Sequence, residues 1–583
     1  MKSFWKMFLA VVLGQIVLIL IVIAIIASQT QEKVEVQSGS VLVQEITGEI
    51  PEAPPTTEFP FPGMLPSPSH TAILENLEKA RHDNRVKAVV LRLGMPSIGY
   101  AKQAELRERI AQLRKAGKPV WAYTEMLGRT ELYLGAACDS LFLMPTGYVM
   151  LHGMAAGRPY LAGTLEKLEI KQDIHRIGAY KSAAEMVQRK SMSPEARDNL
   201  SWIFDDVYPA ITGTIEVERK VPAGTMEEAF AAGALSAAQV AERKLVDRLV
   251  YWDEVEERLL ALPGVERAKS EGEGTPARPR TISGGEYTTI KRADVIKAKK
   301  KIAVVHATGM IAGEESGFSF PFGATMGAQT MAEAFRNAAA DKNIEAIVYR
   351  VDSGGGESST SWKIQRAASI AAQTKPIVVS MVDRAASGGY LICYPFEPLV
   401  ANSLSIVGSI GSISGKMNLR DFYADKLGIT WDFVTRGPNA LMESEVTDYT
   451  PDQWRAFTAN HWNDYYEWVA DIGRARNMTV AEVDSLGRGR VFTGDQALEK
   501  HLIDQVGGFD EAVRLAKERA GIAADEEVDF VHFPRKKSFF ETLRSQGVSM
   551  AFNTIISELL RPWRGTAASQ QHGTWAIDWT QYR

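Results

Sequence analysis

Short apolar runs rich in β-branched residues alternate along the chain with segments whose apolar positions recur every three or four residues. In the C-terminal half, residues 300–308 (KKIAVVHAT), 345–351 (EAIVYRV), 375–382 (KPIVVSMV) and 397–402 (EPLVAN) have strand length and composition. Between them, residues 330–342 (TMAEAFRNAAADK) and 358–373 (SSTSWKIQRAASIAAQ) have helical spacing. Strand–helix alternation of this kind predicts an α/β fold with a mostly parallel sheet and crossover helices. One stretch breaks the pattern. Residues 8–27 (FLAVVLGQIVLILIVIAIIA) contain Gln15 as their only strongly polar position, enough for about 30 Å of helix, and predict a transmembrane helix. Lys2 and Lys6 flank it on the N-terminal side, so the long C-terminal body is expected outside the cytoplasm. A cleaved leader fits less well, because the apolar run is long and Ile25 stands three residues before a cut after Ala27.

The pattern also repeats. VLVQEITGEI from Val41 resembles IAVVHATGMI from Ile302, and DNRVKAVVLRL from Asp83 resembles DKNIEAIVYRV from Asp341. AGKPVWAYTEM, SMSPEARDNL and LSAAQVAERKLVDRL likewise have counterparts in QTKPIVVSMVD, DYTPDQWRAF and FTGDQALEKHLIDQV. The offset stays between 257 and 261 positions throughout, which identifies a duplicated unit of about 235 residues. The expected organisation is a stub and anchor (1–28), a first repeat (29–267), a Gly/Pro/Ser-rich linker (268–300), a second repeat (301–535), and an amphipathic helix with a tail (536–583).

Composition narrows the function. The net charge of −5 over 583 residues supplies no basic field, and nucleic-acid binding is not expected. The two cysteines, Cys138 and Cys393, lie in apolar segments and read as packing residues. There is no H-E-x-x-H and no C-x-x-C, so neither metal nor cofactor is expected. The nine histidines are scattered; His152, His175 and His306, in the more ordered segments, read as structural.

Two glycine-bearing segments carry chemistry. PIVVSMVDRAASGGYLICYPF reads as strand, tight turn and helix, with Ser387 in the turn ahead of Gly388 and Gly389. A serine there is exposed for attack and lies where a helix N-terminus favours developing negative charge. Upstream, Asp352-Ser353-Gly354-Gly355-Gly356 follows a strand but lacks the Lys-Ser/Thr of a phosphate loop. Its glycines let backbone N–H groups approach a carbonyl closely, as an oxyanion hole requires.

The glycine loop after a strand, the AASGGY turn and GSIG at 408–411 resemble the signal peptide peptidase A family, in its long two-repeat bacterial type. The resemblance runs from the anchor to about residue 535. It implies two tandem repeats of ClpP/crotonase-like fold and a serine endopeptidase with a Ser/Lys dyad. The family's lysine lies in a G-x-Y-K-S-A context, which is Lys181 in GAYKSAAE of the first repeat. Locally, Ser182 and Glu185 form an S-x-x-E pattern that predicts a capping box, with Lys181 just ahead of a helix. Burial and the helix dipole would both lower its pKa. Ser387 is then the nucleophile, Lys181 the general base, and Gly388 with Gly355 or Gly356 the oxyanion donors. By the same resemblance Ser409 orients the lysine. The family usually has N-S-P-G-G where this chain has Asp352-Ser353-Gly354-Gly355-Gly356, which leaves the donating glycine open.

Neither copy holds both groups: Thr130 stands opposite Ser387, and Ala440 opposite Lys181. The first copy's loop has become GMPSIG. One site per chain, split across the repeats, is therefore expected. The family further implies released signal peptides and other hydrophobic peptides as substrates, with an apolar groove to hold them. It also implies a homotetramer held in the bacterial inner membrane by one helix, its body periplasmic. Two alternatives are a crotonase-type acyl-CoA enzyme and an inactive membrane-tethered scaffold.

Overall fold

The computed structural model describes residues 14, 34–54, 68–269, 277–319 and 323–535. The expected tail at 536–583, and the expected anchor at 8–27 apart from residue 14, lie outside them. Among the described residues no helix is long and apolar enough to cross a membrane.

The first repeat builds a six-stranded parallel sheet from β1 (Ser40–Glu49), β2 (Val86–Ser97), β3 (Val120–Gly128), β4 (Ser140–Met150), β6 (Arg248–Leu249) and β7 (Thr281–Ser283); β5 (Lys171–Ile177) stands apart from it. Its order is β6-β4-β3-β2-β1-β7. The central runs are apolar on both faces: Val89, Val90 and Leu91 of β2 are all fully buried. Continuous apolar runs suit a parallel sheet covered by helices on both sides.

The second repeat follows the same plan. After β8 (Lys300–Thr308), a small sheet of β9 (Met310–Ile311), β10 (Gly317–Ser319) and β11 (Gly323–Met326) precedes β12 (Ile344–Ser353) and β13 (Ile377–Ala386). Then come β14 (Leu399–Ala401), β15 (Ile406–Gly408), β16 (Ser412–Asn418), β17 (Val491–Phe492), β18 (Gln505–Val506) and β19 (Val528–Phe533). The path β18-β14-β13-β12-β8-β19 reproduces the order of the first sheet, and β15 and β17 extend it beside the end of β13. The duplication read from sequence is thus a duplication of topology.

Smaller details repeat as well. The helices Pro194–Arg219 and Pro451–Arg476 have the same length, each with proline in the first turn. Ser193 and Thr450 cap them by accepting the Ala196 and Gln453 N–H groups. At their C-termini, Arg219 forks onto Asp247 and Arg476 onto Asp504. Each aspartate also accepts a strand N–H, from Leu141 and Leu399 respectively.

Part of the linker composition folds. Residues 281–283 form β7 on the edge of the first sheet, and the helix Gly284–Thr289 behind it buries Tyr287 completely. Apolar Ile282 and Tyr287, set among glycine and charge, are what dock this stretch.

The repeats meet through buried charge. Arg350 of β12, with no exposed surface, forks onto Glu52 and Glu105 of the first repeat and donates to Ser380 Oγ. Its guanidinium holds both carboxylates well below the usual range, Glu105 at about 2 and Glu52 lower still. Cys138 and Cys393 are both buried free thiols.

Candidate active site

The element that assembles the site is a strand pair between repeats. β5 of the first repeat runs antiparallel to β16 of the second, from Ser412 opposite Ile177 to Asn418 opposite Lys171. The chain leaves β5 through Gly178 and reaches Lys181, while three residues ahead of β16 lies Ser409. Tyr180 N–H donates to Arg488 O, and the Arg490 guanidinium covers the Tyr180 ring at 4.1 Å. A side chain on Gly489 would collide with the Lys181 backbone, and its φ of +82° also favours glycine. Lys181 is therefore embedded in the second repeat although the first repeat encodes it.

Lys181 is 5% exposed. Its Nζ donates to Ser409 O at 2.8 Å and to Ser409 Oγ at 3.0 Å. Burial pulls its pKa from the ordinary 10.5 down to about 7. An amine in this state is part neutral near neutral pH, as a proton acceptor must be.

Ser387 is half-buried and follows directly on β13, with φ +56° and ψ −122°. A non-glycine residue in this sparsely populated region is held there by its surroundings, at a cost of roughly 1–3 kcal/mol. What holds it is visible: Ser387 N–H donates to Gly408 O at 2.8 Å, and the helix Gly388–Leu391 begins at once. Tyr390 anchors that helix by donating its hydroxyl to Leu502 O. Gly408 and Ser409 thus touch both groups, the first through Ser387 N–H and the second through the Lys181 amine.

The glycine loop lies against this turn. A Cβ on Gly355 would sit 2.6 Å from Gly388 N and 2.8 Å from Ser387 Cβ, so only glycine fits there. The Gly355 N–H is already donated to Ser353 Oγ, whose hydroxyl in turn donates to Gly309 O. Among the described residues the N–H groups of Gly388 and Gly356 donate to nothing. Those two, rather than Gly355, have the capacity to bind an oxyanion.

Two local expectations are corrected. Ser182 and Glu185 form no capping box: residues 182–184 make one 3₁₀ turn with no side-chain cap. Glu185 instead accepts from Ser193 N–H and Oγ and from Arg176, tying the lysine segment to the following helix. His152 is exposed rather than in the core. His175 and His306 do have structural partners, His461 and His532, at 2.8 and 3.0 Å.

The sequence pattern of peptidase family S49 matches residues 112–266 and again 369–523, one match in each repeat. The chain belongs to peptidase family S49. It is 30% identical to the chloroplastic serine protease SPPA of Arabidopsis thaliana over 90% of this chain and 76% of that one. It is 31% identical to Protease 4 of Salmonella typhi, over 77% of this chain and 71% of the relative. Protease 4 of Haemophilus influenzae is 28% identical over 78% and 73%. The chain is therefore an S49 serine peptidase of the signal peptide peptidase A kind, with the ClpP-like architecture its family implied, and the acyl-CoA reading is set aside.

Proposed function

We propose that this chain is a membrane-anchored serine endopeptidase in which Ser387 is the nucleophile and Lys181 the general base. The observation that carries the reading is the buried Lys181 amine, held by Ser409 next to the Gly408 carbonyl that fixes the Ser387 turn. Neutral Lys181 Nζ takes the Ser387 Oγ proton as Oγ attacks a peptide carbonyl carbon. The oxyanion is held by the N–H groups of Gly388 and Gly356. The intermediate collapses, the leaving amine takes the proton from Lys181, and an acyl-enzyme remains. Lys181 then accepts a proton from water, whose oxygen attacks the ester and frees Ser387.

The substrate reading is released signal peptides and other hydrophobic peptides. It rests on the family and on the 8–27 apolar stretch, which would hold the body at the periplasmic face of a bacterial inner membrane. A homotetramer completes the reading. In support of assembly, the counterpart of β5 in the second repeat, residues 430–436, is exposed and carries Trp431, Phe433 and Val434. The counterpart of β16, residues 154–160, forms no strand. Each is the segment the other repeat would pair with, so the β5–β16 contact can recur between copies.

The test is turnover of a fluorogenic hydrophobic peptide by the detergent-solubilised full chain, beside Ser387→Ala and Lys181→Ala. Both variants should be inactive while folded. Wild-type turnover in either would overturn the assignment.

A further inference from the structure

The loop that departs from the family's N-S-P-G-G has its own counter-charge, and that charge comes from the other repeat. Strands β12 and β13 run in register up to Val351 opposite Met381, and then the register jumps to Ser353 opposite Ala385. One residue on β12, Asp352, thus faces three on β13: Val382, Asp383 and Arg384. The strands part at the point where one enters the glycine loop and the other enters the nucleophile turn.

Lys102 of the first repeat fills this opening. Its Nζ lies 2.7 Å from Asp352 Oδ2 and 3.0 Å from Asp383 Oδ2, and all three side chains are largely buried. The rest of each carboxylate is also used. Asp352 Oδ1 accepts the Arg384 N–H, and Asp383 Oδ1 accepts the N–H groups of Ala101 and Lys102. Those two N–H groups open the helix Tyr100–Lys115, which has no side-chain cap of its own. Its N-cap, Gly99, leaves room for the visiting carboxylate: a Cβ there would lie 2.1 Å from the Asp383 carboxyl carbon. A carboxylate from one repeat therefore caps a helix of the other, next to a buried ammonium.

Resting on the Ser387 assignment, we infer that Lys102 is a positioning residue for the reaction: it clamps Asp352 and Asp383 and so sets the spacing between the glycine loop and Ser387. Asp352 is followed directly by Ser353, whose hydroxyl holds the Gly355 N–H and orients the loop. Asp383, on β13, lies four residues before Ser387, which follows the strand's end. Removing the ammonium leaves two buried carboxylates facing each other, which pushes the strands apart. Displacement of an oxyanion donor by about 1 Å can lower the rate about 10²-fold without touching a reacting atom. The first repeat thus supplies both the base and a clamp on the nucleophile's half.

The test is Lys102→Met in the full chain, read by the rate of covalent labelling with a fluorophosphonate probe and by steady-state kinetics. We expect labelling and kcat to fall about 10- to 100-fold with KM little changed. Adding Asp352→Asn removes one uncompensated charge, keeps the acceptor for Arg384 N–H, and should restore at least half of the lost rate on a logarithmic scale. Wild-type labelling by Lys102→Met overturns the inference, as does a folded double variant that recovers nothing. If the single variant does not fold, the double variant carries the test. Ser387→Ala is the control: if it labels like wild type, the nucleophile assignment has failed, whereas an unlabelled Ser387→Ala beside a normal Lys102→Met fails the clamp alone.

Discussion

The two repeats share a sheet order, two matching long helices and the same arginine–aspartate fork, yet differ at every position to which the proposed chemistry is assigned. In the second repeat β12 stops at Ser353 and opens into glycines; in the first, β2 runs on to Ser97 through Pro96, which has no N–H to offer. Where Ser387 and Gly388 stand, the first repeat has Thr130 and Glu131, both buried, with the Glu131 carboxylate accepting the Gly128 N–H. Ala386 is matched by Arg129, whose guanidinium donates to Gly153 O. The site in the first repeat has been filled by side chains. Conversely, the lysine segment is seated only once, where β16 receives β5, while Ala440 sits in an exposed stretch. The same strand position can also change its role. Arg92 is 37% exposed on β2, and its counterpart Arg350 is the buried centre of the junction. What the duplication kept is the framework each copy needs to fold; what diverged is whatever faces the other copy.

This comparison can be broken most sharply at the dyad. Ser387→Ala should lower turnover by roughly 10³-fold or more, while Thr130→Ala should leave it within about twofold. A large loss from Thr130→Ala would mean the first copy retains chemistry. The rate should rise with pH through about 7 and level off above it, since Lys181 must be neutral to accept a proton. A rate that stayed flat from pH 5 to 9 would contradict its role as base.

The junction comes next. Arg350→Met leaves Glu52 and Glu105 buried without the guanidinium they share, and should cost about 3–5 kcal/mol in denaturant unfolding. Arg92→Met, on the corresponding but only half-buried position, should cost no more than about 1 kcal/mol. Equal effects would show that the repeats do not depend on that contact.

Lys181 also bears on stability. Its folded pKa lies below that of an exposed lysine, so between about 7 and 10.5 the unfolded chain binds more protons, and stability rises with pH across that window. Lys181→Met should therefore raise the thermal midpoint at pH 6, with a gain that shrinks as pH approaches 10. A fall in midpoint at pH 6 would argue that the ammonium is better solvated than its burial indicates. A small effect belongs to the helix caps: Thr450→Ala should cost about 1 kcal/mol, and Ser193→Ala more, because Ser193 Oγ also donates to the buried Glu185. Equal costs would show that the bond from Ser193 to Glu185 adds nothing to the cap.

Much of this was written in the sequence. The strand and helix runs of the second repeat, the duplication and the glycine segments follow from periodicity and from residue types with restricted backbone preferences, which act locally. The G-x-Y-K-S-A and A-S-G-G-Y contexts named Lys181 and Ser387. The strand and helix at 281–289 were masked by a linker-like composition, because only contact with the first sheet makes two apolar residues decisive. The Ser182–Glu185 pattern promised a cap, but Glu185 is drawn to Ser193 and Arg176, which the chain brings near only after folding. No periodicity pointed to Lys102 or Asp383, since a lysine at a helix start and an aspartate in a strand are ordinary until they are buried together. The sequence alone determined that Ser387 and Lys181, the residues proposed for this chemistry, lie in different copies of one fold. The tertiary structure decided which N–H groups remain free, how far the lysine is desolvated, and that β5 crosses to β16. Those properties depend on what is packed against each group, and for Lys181 and β5 that neighbour is encoded more than two hundred residues away.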